Sequence, residues 1–326
     1  MARTVCITGA AGFIGSHLVE TCLNRGDRVI GIDNLDDFYS PEIKKRNLAG
    51  ALKNPSFQFH ELDLLEEEKL RELLIQEKPD LVFHLAARAG VRPSLQNPTL
   101  YMRVNVEGTT GLLQAAVLAK VKRVVMASSS SVYGNSASVP FQVSEKNLRP
   151  ISPYGASKLA SEAIGYSYAE NYRLPVIALR FFTVYGPRQR PDLAIHKFMR
   201  LIDENKPIEM FGDGSTSRDY TFIDDIIEGV LASAEVEIST SEIPFRVYNI
   251  GSESPISLKE MISAIETVTG KKAQLIPKPE QTGDVKRTFA DVTQSEKDFK
   301  YRPKESFAKG LEKFWSWYQT EKANRR

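Results

Sequence analysis

The sequence predicts an α/β protein in which a doubly wound parallel sheet is followed by a smaller C-terminal lobe. Apolar runs of strand length alternate with helical patterns through the first 180 residues, and this alternation is typical of βαβ units. Beyond that point prolines and glycines separate shorter elements, among which 221–234 and 247–250 indicate a return to the sheet. Residues 257–270 and 305–319 have the apolar spacing of amphipathic helices.

Composition excludes several classes of protein. A chain of 326 residues can bury one large α/β core or two linked ones. The net charge of +2 lacks the concentrated basic excess that a nucleic-acid or membrane partner would require. Cys6 and Cys22 are too few for a disulfide framework. The N-terminus shows no apolar signal segment, and no apolar run approaches the ~18 residues of a membrane span. We therefore expect a cytoplasmic protein.

The first strand, 3–8, leads directly into a glycine-rich turn and a helix. Gly9 permits a tight turn, Gly12 lets a pyrophosphate approach the backbone, and Gly15 lets the helix pack on the strand. The phosphates would then meet the unpaired N–H groups of the helix. The glycines follow a GxxGxxG spacing, which differs from the ordinary dinucleotide fingerprint, so a simple tight turn is the alternative.

The second strand, 28–32, ends at an acid that indicates the cofactor. Asp33 lies about twenty residues after the glycines, where a carboxylate binds ribose hydroxyls and repels a 2′-phosphate. Asp36 and Asp37 would add to that repulsion, so NAD is favoured over NADP. Residues 44–46 are basic and are expected to form a solvated helix face.

The third and fourth strands, 57–62 and 80–87, supply further cofactor contacts. Asp63 could contact the adenine, or it could cap the helix that follows at 65–77, and one role does not exclude the other. Small residues at the end of the fourth strand would let a cofactor lie close. His84, within that strand, has no second ligand nearby and is expected to be a core histidine.

The remaining elements complete the sheet. A long helix is expected over 98–120, with Asn105 as a buried amide that orients neighbouring backbone. The fifth strand, 123–127, leads to the serines 128–131, and the helix 153–172 precedes a sixth strand at 175–182. Ligands of an open parallel sheet bind at the carboxyl ends of its strands, where Gly9, Asp33, Asp63, Ala87 and Ser129 all fall.

A possible catalytic pair lies on the helix 153–172. Tyr154 and Lys158 are four residues apart and so share one helix face. An ammonium beside a phenol favours the phenolate, so the pKa of Tyr154 is expected to fall from about 10 toward neutral pH. A hydroxyl such as that of Ser129 could hold the substrate oxygen while the phenolate takes its proton. This is a base for oxidising an alcohol.

The second lobe carries residues suited to a nucleoside diphosphate. Arg188 and Arg190 follow the sixth strand and should border the cleft, while Phe211, Arg218 and Asp284 supply an apolar plate, a cation and a carboxylate. Ion pairs that merely stabilise loops are the alternative for each of them.

The motifs TGAAGFIG, HLAARAGVR, SSSSVYG, YGASK and RFFTVYGPRQRPDLAIHKF occur in this order over nearly the whole chain. Together they resemble the extended short-chain dehydrogenase/reductase family and, within it, the UDP-sugar 4-epimerases. The resemblance implies tightly held NAD that is reduced and reoxidised in one turnover. It makes Tyr154 the base, Lys158 the ribose-bound cation and Ser129 the hydroxyl partner.

The resemblance also implies a division of the chain and two sets of binding residues. A Rossmann-type NAD-binding domain would comprise 1–180 and about 219–250, and a UDP-sugar-binding lobe would comprise 181–218 and 251–326. The expected cofactor-binding residues are Gly9, Gly12, Phe13, Ile14, Asp33, Asn34, Asp63, Leu64, Leu85, Ala86, Ala87, Ala89, Asn105, Tyr154, Lys158 and Phe181. The expected substrate-binding residues are Ser129, Ser131, Thr183, Arg190, Phe211, Arg218 and Asp284. No metal site is expected, and relatives commonly form homodimers through two helices, here 100–119 and 153–172.

The substrate is the least determined part of the expectation. Ser130 and Ser131 stand where dehydratases and decarboxylases carry acids, so both reactions are disfavoured. Thr183 and Arg190 match the pair that clamps the carboxylate in glucuronate 4-epimerases, which favours UDP-glucuronate and UDP-galacturonate. The segment FGDGSTSRDYTF instead resembles UDP-glucose epimerases, and the small Thr288 leaves N-acetylated sugars possible. A regulatory protein that binds NAD without catalysis is the alternative from another class.

Overall fold

The computed structural model describes residues 2–135, 138–239, 241–279 and 285–323. Its largest element is a seven-stranded parallel sheet in the order β10-β6-β5-β4-β1-β2-β3. The strands are β1 (Thr4–Thr8), β2 (Arg28–Asp33), β3 (Phe57–Glu61), β4 (Leu81–His84), β5 (Arg123–Ser129), β6 (Val176–Phe181) and β10 (Phe245–Ile250). The order reverses between β1 and β4, where the crevice of a doubly wound sheet forms. The predicted fold class is thereby confirmed.

Helices cover both faces of this sheet, as the apolar strands require. They are α1 (Phe13–Asn24), α2 (Pro41–Leu48), α3 (Glu67–Glu77), α4 (Val91–Gln96), α5 (Pro98–Met102), α6 (Gly108–Leu118), α7 (Pro153–Tyr172) and α9 (Ile223–Ser233), with 3₁₀ turns at Ala51–Lys53 and Ser130–Val132. Along β1, Val5 and Ile7 belong to one apolar cluster and Cys6 to the other. Alternate residues of one strand therefore stabilise two cores.

The helix expected over 98–120 is interrupted. A π-helical turn, Arg103–Glu107, lies between α5 and α6. Such a turn adds one residue to the helical repeat and often occurs at functional sites. Asn105 lies inside it and is 1% exposed, so the turn sets the direction of this amide.

The smaller lobe consists of short elements. They are β7 (Thr183–Tyr185), α8 (Ala194–Asp203), β8 (Ile208–Phe211), β9 (Ser217–Phe222), β11 (Pro255–Ser257), α10 (Leu258–Thr269), β12 (Leu275–Lys278), α11 (Thr293–Phe299) and α12 (Phe307–Ala323). Strands β11, β9 and β7 form one small sheet, and β12 pairs with β8. A capping box of Ser257 and Glu260 begins α10, and Gly270 in the left-handed region ends it.

Two contacts join the loop after β7 to the first helix. His17 Nε2 lies 3.0 Å from the carbonyl oxygen of Pro187, and Arg188 donates to Glu20 at 2.7 Å. The loop that carries Arg190 is thereby fixed beside α1, next to the glycine turn.

Candidate active site

The glycine turn packs backbone against backbone. Gly9 has φ +70°, and a Cβ there would lie 2.8 Å from the nitrogen of Ala86. A Cβ at Gly15 would lie 2.0 Å from the carbonyl oxygen of Gly9. Helix α1 begins after Gly12 without any side-chain cap, so N–H groups of its first turn stay available. A helix start of this kind suits a phosphate.

Asp33 ends β2 beside this turn and is 7% exposed. Its carboxylate accepts hydrogen bonds from the N–H of Ala11 at 3.1 Å and from that of Leu35 at 2.9 Å. Burial raises the pKa of Asp33, while the ammonium of Lys44, 3.7 Å away, lowers it. Oδ2, which accepts only the Ala11 bond, keeps a lone pair for a hydroxyl donor such as a ribose.

Two charges near Asp33 differ from the expectation. Lys44 is 7% exposed because it pairs with Asp33, so the prediction of a solvated face was wrong for this residue. Asp36 forms an ion pair with Arg88, which compensates the charge that was expected to repel a 2′-phosphate. Asp37 is exposed and forms no ion pair among the described residues, so its charge still opposes a 2′-phosphate.

Asp63 does not cap the next helix, because α3 begins at Glu67 with Glu66 at its N-cap position, and its adenine contact stays a prediction. Its Oδ2 accepts from Asn34 Nδ2 at 2.7 Å, and its Oδ1 accepts from the N–H of Leu65 at 2.9 Å. Asp63 therefore joins the loop after β2 to the turn before α3. Leu64 is 6% exposed and packs in the core.

The end of β4 lies against the glycine turn. Leu85, Ala86, Ala87 and Ala89 are all partly buried, and the N–H of Ala86 donates to Thr8 Oγ1 at 3.2 Å. His84 is a core histidine, as predicted: hydrogen bonds join its Nδ1 to Thr8 Oγ1 and its Nε2 to Thr109 Oγ1. No cluster that could hold a metal ion occurs among the residues that the structure describes.

Asn105 orients backbone, as expected. Its Oδ1 accepts from the N–H of Arg88 at 2.7 Å, and its Nδ2 donates to the carbonyl of Arg88 at 2.9 Å. The same Nδ2 donates to Ser157 Oγ at 2.9 Å. The π turn thus links the loop after β4 to helix α7.

Tyr154 and Ser129 meet at the carboxyl end of β5. Ser152 caps α7 and Pro153 occupies its first turn, which fixes where Tyr154 begins the helix. Burial raises the pKa of Tyr154 above its usual value, while a hydrogen bond with Ser129 and the charge of Arg190 lower it. The expected fall of this pKa is therefore not seen in the chain alone, because burial is the largest effect. Ser129 Oγ also accepts from the N–H of Ser131 at 3.1 Å.

Lys158 is 6% exposed and donates to the carbonyl of Ala127 at 2.8 Å. Burial lowers the pKa of Lys158 to about 8, and the nearby carboxylate of Glu162 raises it. The ammonium form is therefore retained at neutral pH. Phe181 ends β6 opposite Ser129 in the sheet and is 8% exposed.

The sequence analysis missed Glu162 and Arg180, which lie behind Lys158. Arg180 Nε and Nη2 donate to the two Glu162 oxygens at 2.9 and 2.8 Å. Ser128 donates to the same carboxylate at 2.5 Å. An arginine within an apolar strand and a glutamate one turn after Lys158 are signals that could have indicated a buried pair.

Three of the expected substrate residues lie on strands that follow β6 in the chain, or in the loop after one of them. Thr183 begins β7, and Arg190 is held by Asp192 through two bonds of 3.0 and 2.8 Å. Phe211 lies at the end of β8, where the guanidinium of Arg92 is 5.7 Å from its ring centroid.

Four further expectations for the second lobe have different outcomes. Arg218 Nη1 donates to the carbonyl of Ser217 at 2.9 Å. Arg188 turns toward Glu20 of α1 rather than into the cleft, and Thr288 is buried with its hydroxyl bound to the N–H of Asp219. Asp284 lies outside the described residues.

These residues fit NAD. The glycine turn carries no side chains where a pyrophosphate would approach. The first turn of α1 has N–H groups without a side-chain cap. The buried carboxylate of Asp33 lies where a ribose would bind. A phenol, a hydroxyl and an ammonium follow at the same edge of the sheet.

Known proteins share both the sequence and the architecture. The NAD dependent epimerase/dehydratase family matches residues 5–251. A UDP-glucuronate 4-epimerase of Thermodesulfobacterium geofontis is 39% identical over 312 residues, covering 95% of this chain and 94% of that protein. A UDP-glucuronic acid 4-epimerase from Bacillus cereus, solved with UDP-glucuronic acid and NAD, has a TM-score of 0.89 at 37% identity, with 98% and 99% of the chains covered. A UDP-glucose 4-epimerase from Thermotoga maritima, solved with UDP-glucose, has a TM-score of 0.89 at 30% identity and the same coverage.

Proposed function

Since this chain belongs to the NAD dependent epimerase/dehydratase family, we propose that it is an isomerase that inverts carbon 4 of a UDP-sugar through a 4-keto intermediate. UDP-glucuronate and UDP-galacturonate are its proposed pair of substrates. The similar proteins from T. geofontis and B. cereus support this choice.

One observation carries the choice of a uronate. The charge of Arg190 lowers the pKa of Tyr154, so a guanidinium lies near the proposed base. A cation beside the reacting carbon suits a sugar with a carboxylate on the adjacent ring carbon. A neutral hexose would offer that cation no opposite charge, and Asp192 alone would remain its counter-ion.

The cofactor would be held by the residues at the edge of the sheet. The first turn of α1 would bind the pyrophosphate, and Asp33 would bind the adenosine ribose. Bound NAD⁺ supplies a positively charged ring that takes a hydride from carbon 4 and later returns it. Asn34, Asp63 and the small residues after β4 would complete the contacts.

Tyr154 is the proposed base. Its phenol oxygen would remove the proton from the hydroxyl on carbon 4, while Ser129 Oγ would hold the same oxygen. In the chain alone burial keeps the phenol protonated, so added positive charge must lower its pKa before it can act. Arg190 already lowers this pKa within the chain and Lys158 retains its ammonium at neutral pH, so the further positive charge would come from bound NAD⁺.

The keto sugar must turn over between the two hydride transfers, so its nucleotide must be held while its ring is not. We assign the nucleotide to Phe211, Arg218 and Asp284 in a lobe formed by 181–218 and 251–326. The dinucleotide then belongs to the domain formed by 1–180 and 219–250. Ser131 would contact the sugar.

A uronate oxidised at carbon 4 is a β-keto acid and can lose carbon dioxide. The loss requires that the breaking bond be aligned with the carbonyl π system. Thr183 and Arg190 would hold the carboxylate through a hydroxyl and a fork of two N–H groups, which restrains its rotation. This clamp would favour epimerisation over decarboxylation.

UDP-glucose is the second candidate substrate. Asp192 already binds the guanidinium of Arg190 through two hydrogen bonds, so a carboxylate on the sugar is not required to neutralise it. The similarity to the T. maritima protein supports this alternative.

We also propose a cytoplasmic homodimer. Tyr166 and Tyr172 of α7 and Met102 and Leu118 of the neighbouring helices expose 38–54% of their surface, as an apolar interface between copies would require. Among the described residues, no helix is both long and apolar enough to cross a membrane.

The experiment that tests the function follows product formation from purified protein by anion-exchange chromatography. UDP-glucuronate should yield UDP-galacturonate, and Tyr154→Phe should lower kcat by at least about 10³-fold, since the base is removed. Tyr166→Phe, on the exposed side of the same helix, is the matched control and should keep wild-type turnover. Turnover of UDP-glucose alone would establish the second candidate, and UDP-pentose would indicate decarboxylation. Unchanged turnover in Tyr154→Phe would overturn the mechanism.

A further inference from the structure

Two loops meet across the mouth of the dinucleotide crevice. One follows β2 and carries Asp36, and the other follows β4 and carries Arg88, and the two side chains form an ion pair. Strand β1 lies between β2 and β4 in the sheet. The ion pair therefore spans the carboxyl end of β1, where the glycine turn begins.

Both ends of this contact are fixed by their own hydrogen bonds. The backbone N–H and carbonyl of Arg88 are both bound by Asn105 in the π turn. On the other loop, Asp36 N–H donates to Asn34 Oδ1 at 3.0 Å, and Phe38 N–H donates to Asp36 Oδ1 at 2.8 Å. The position of the pair is thus set by the loops and not by free side chains.

Phe38 extends the contact toward the substrate side. The guanidinium carbons of Arg88 and Arg190 each lie 4.9 Å from the centroid of its ring. Both arginine side chains are largely buried, at 19% and 14% exposure, which strengthens a cation–π contact. One aromatic ring therefore joins the loops that follow β2, β4 and β7.

We propose that Asp36, Phe38 and Arg88 form a strap that retains NAD through many turnovers. A dinucleotide that runs from Asp33 past Gly12 to Tyr154 must pass the carboxyl end of β1, which the Asp36–Arg88 pair crosses. Release then requires that the pair and the ring contacts open. The inference rests on the proposed use of NAD and adds the residues that control its residence time.

If the strap retains NAD, changes to its three residues should raise the rate of NAD release. Arg88→Ala, Asp36→Asn and Phe38→Leu should each speed NAD release by about tenfold or more, because barriers of this kind are expressed in the dissociation rate. The Asp36→Asn/Arg88→Ala double variant should release NAD no faster than the quicker single variant, since both changes break one contact.

The measurement uses the full chain as purified. Bound NAD is counted after gel filtration, and its release is followed by dilution into an enzymatic trap for free NAD. Arg71→Ala is the control, because Arg71 pairs with Glu68 on the surface of α3 and should not alter release. Circular dichroism establishes that each variant is folded.

The outcomes separate the strap from the proposed function. Wild-type release rates in Asp36→Asn and Phe38→Leu would overturn the strap, even if Arg88→Ala released NAD quickly through loss of a direct contact with the cofactor. A wild-type protein that binds no NAD would instead overturn the proposed function. Additive effects in the double variant would also contradict a single shared contact.

Discussion

Glu162 and Arg180 form a two-pronged ion pair behind Lys158, with both side chains at most 6% exposed. Ser128 shares the same carboxylate. Because Glu162 lies on α7, Arg180 on β6 and Ser128 on β5, this cluster fixes the helix that carries Tyr154 relative to the strand that carries Ser129.

Breaking this pair should destabilise the protein strongly. Glu162→Gln leaves the Arg180 charge buried without its partner, and such a loss typically costs about 3–5 kcal/mol. The Glu162→Leu/Arg180→Met double variant should recover much of that loss, because no unpaired charge remains. Urea unfolding measures both, and a single variant as stable as wild type would show that the pair contributes little.

Glu162→Gln should also change the pH dependence of turnover. Glu162 raises the pKa of Lys158, which burial lowers to about 8. Removing the carboxylate lowers this pKa further, so the ammonium is lost at lower pH and the alkaline limb of kcat should move to lower pH. A purely structural loss would reduce kcat at every pH and leave the limb in place.

Arg190 should decide between charged and neutral sugars. Arg190→Ala is expected to lower the ratio of kcat/KM for UDP-glucuronate to that for UDP-glucose by about 10²-fold, since a charge-assisted contact is lost for one substrate alone. The ratio removes the effect of Arg190 on the pKa of Tyr154, which both substrates share.

Asp192→Asn is the matched partner of that variant. It leaves Arg190 in place and removes the carboxylate that now binds it, so the KM for UDP-glucuronate should fall or stay constant. An unchanged substrate ratio in Arg190→Ala would leave UDP-glucose as the better assignment.

His84 should make the fold sensitive to acid. Burial, with a smaller effect of Lys158, lowers the pKa of His84 from 6.5 to about 3. Below pH 6.5 the unfolded chain binds a proton that the folded chain does not, so stability falls as pH drops toward 3, by up to about 1.4 kcal/mol per pH unit for one proton. His84→Gln should reduce this slope relative to wild type in urea unfolding between pH 6 and 4. His60→Gln on β3 is the control, and equal slopes in all three proteins would contradict the assignment.

The sheet was predictable because its signals are local. Each apolar run is followed by a turn and a helical pattern, and α7 spans Pro153–Tyr172, the range that the sequence predicts. Tyr154 follows from its spacing to Lys158 on one helix face, and Ser129 and the glycine turn follow from their positions after particular strands.

What the sequence could not indicate depends on contacts between distant segments. The sequence predicts Lys44 to be a surface lysine, but it is buried in an ion pair with Asp33. It predicts Arg188 to border the cleft, but Arg188 binds Glu20 of α1. The role of Phe38 cannot be predicted from its own segment, because Arg88 and Arg190, which contact its ring, come from two other loops. The rise in the pKa of Tyr154 likewise requires knowledge of its burial.

The irregular turn at Arg103–Glu107 has an evolutionary consequence. A single codon deletion there would restore an unbroken α-helix and rotate Asn105 by roughly 100° about the axis. Such a deletant would fold with better local regularity yet lose the amide that ties Arg88 to Ser157. The length of this segment therefore matters as much as its side chains, and a deletion here should be tolerated less well than a substitution.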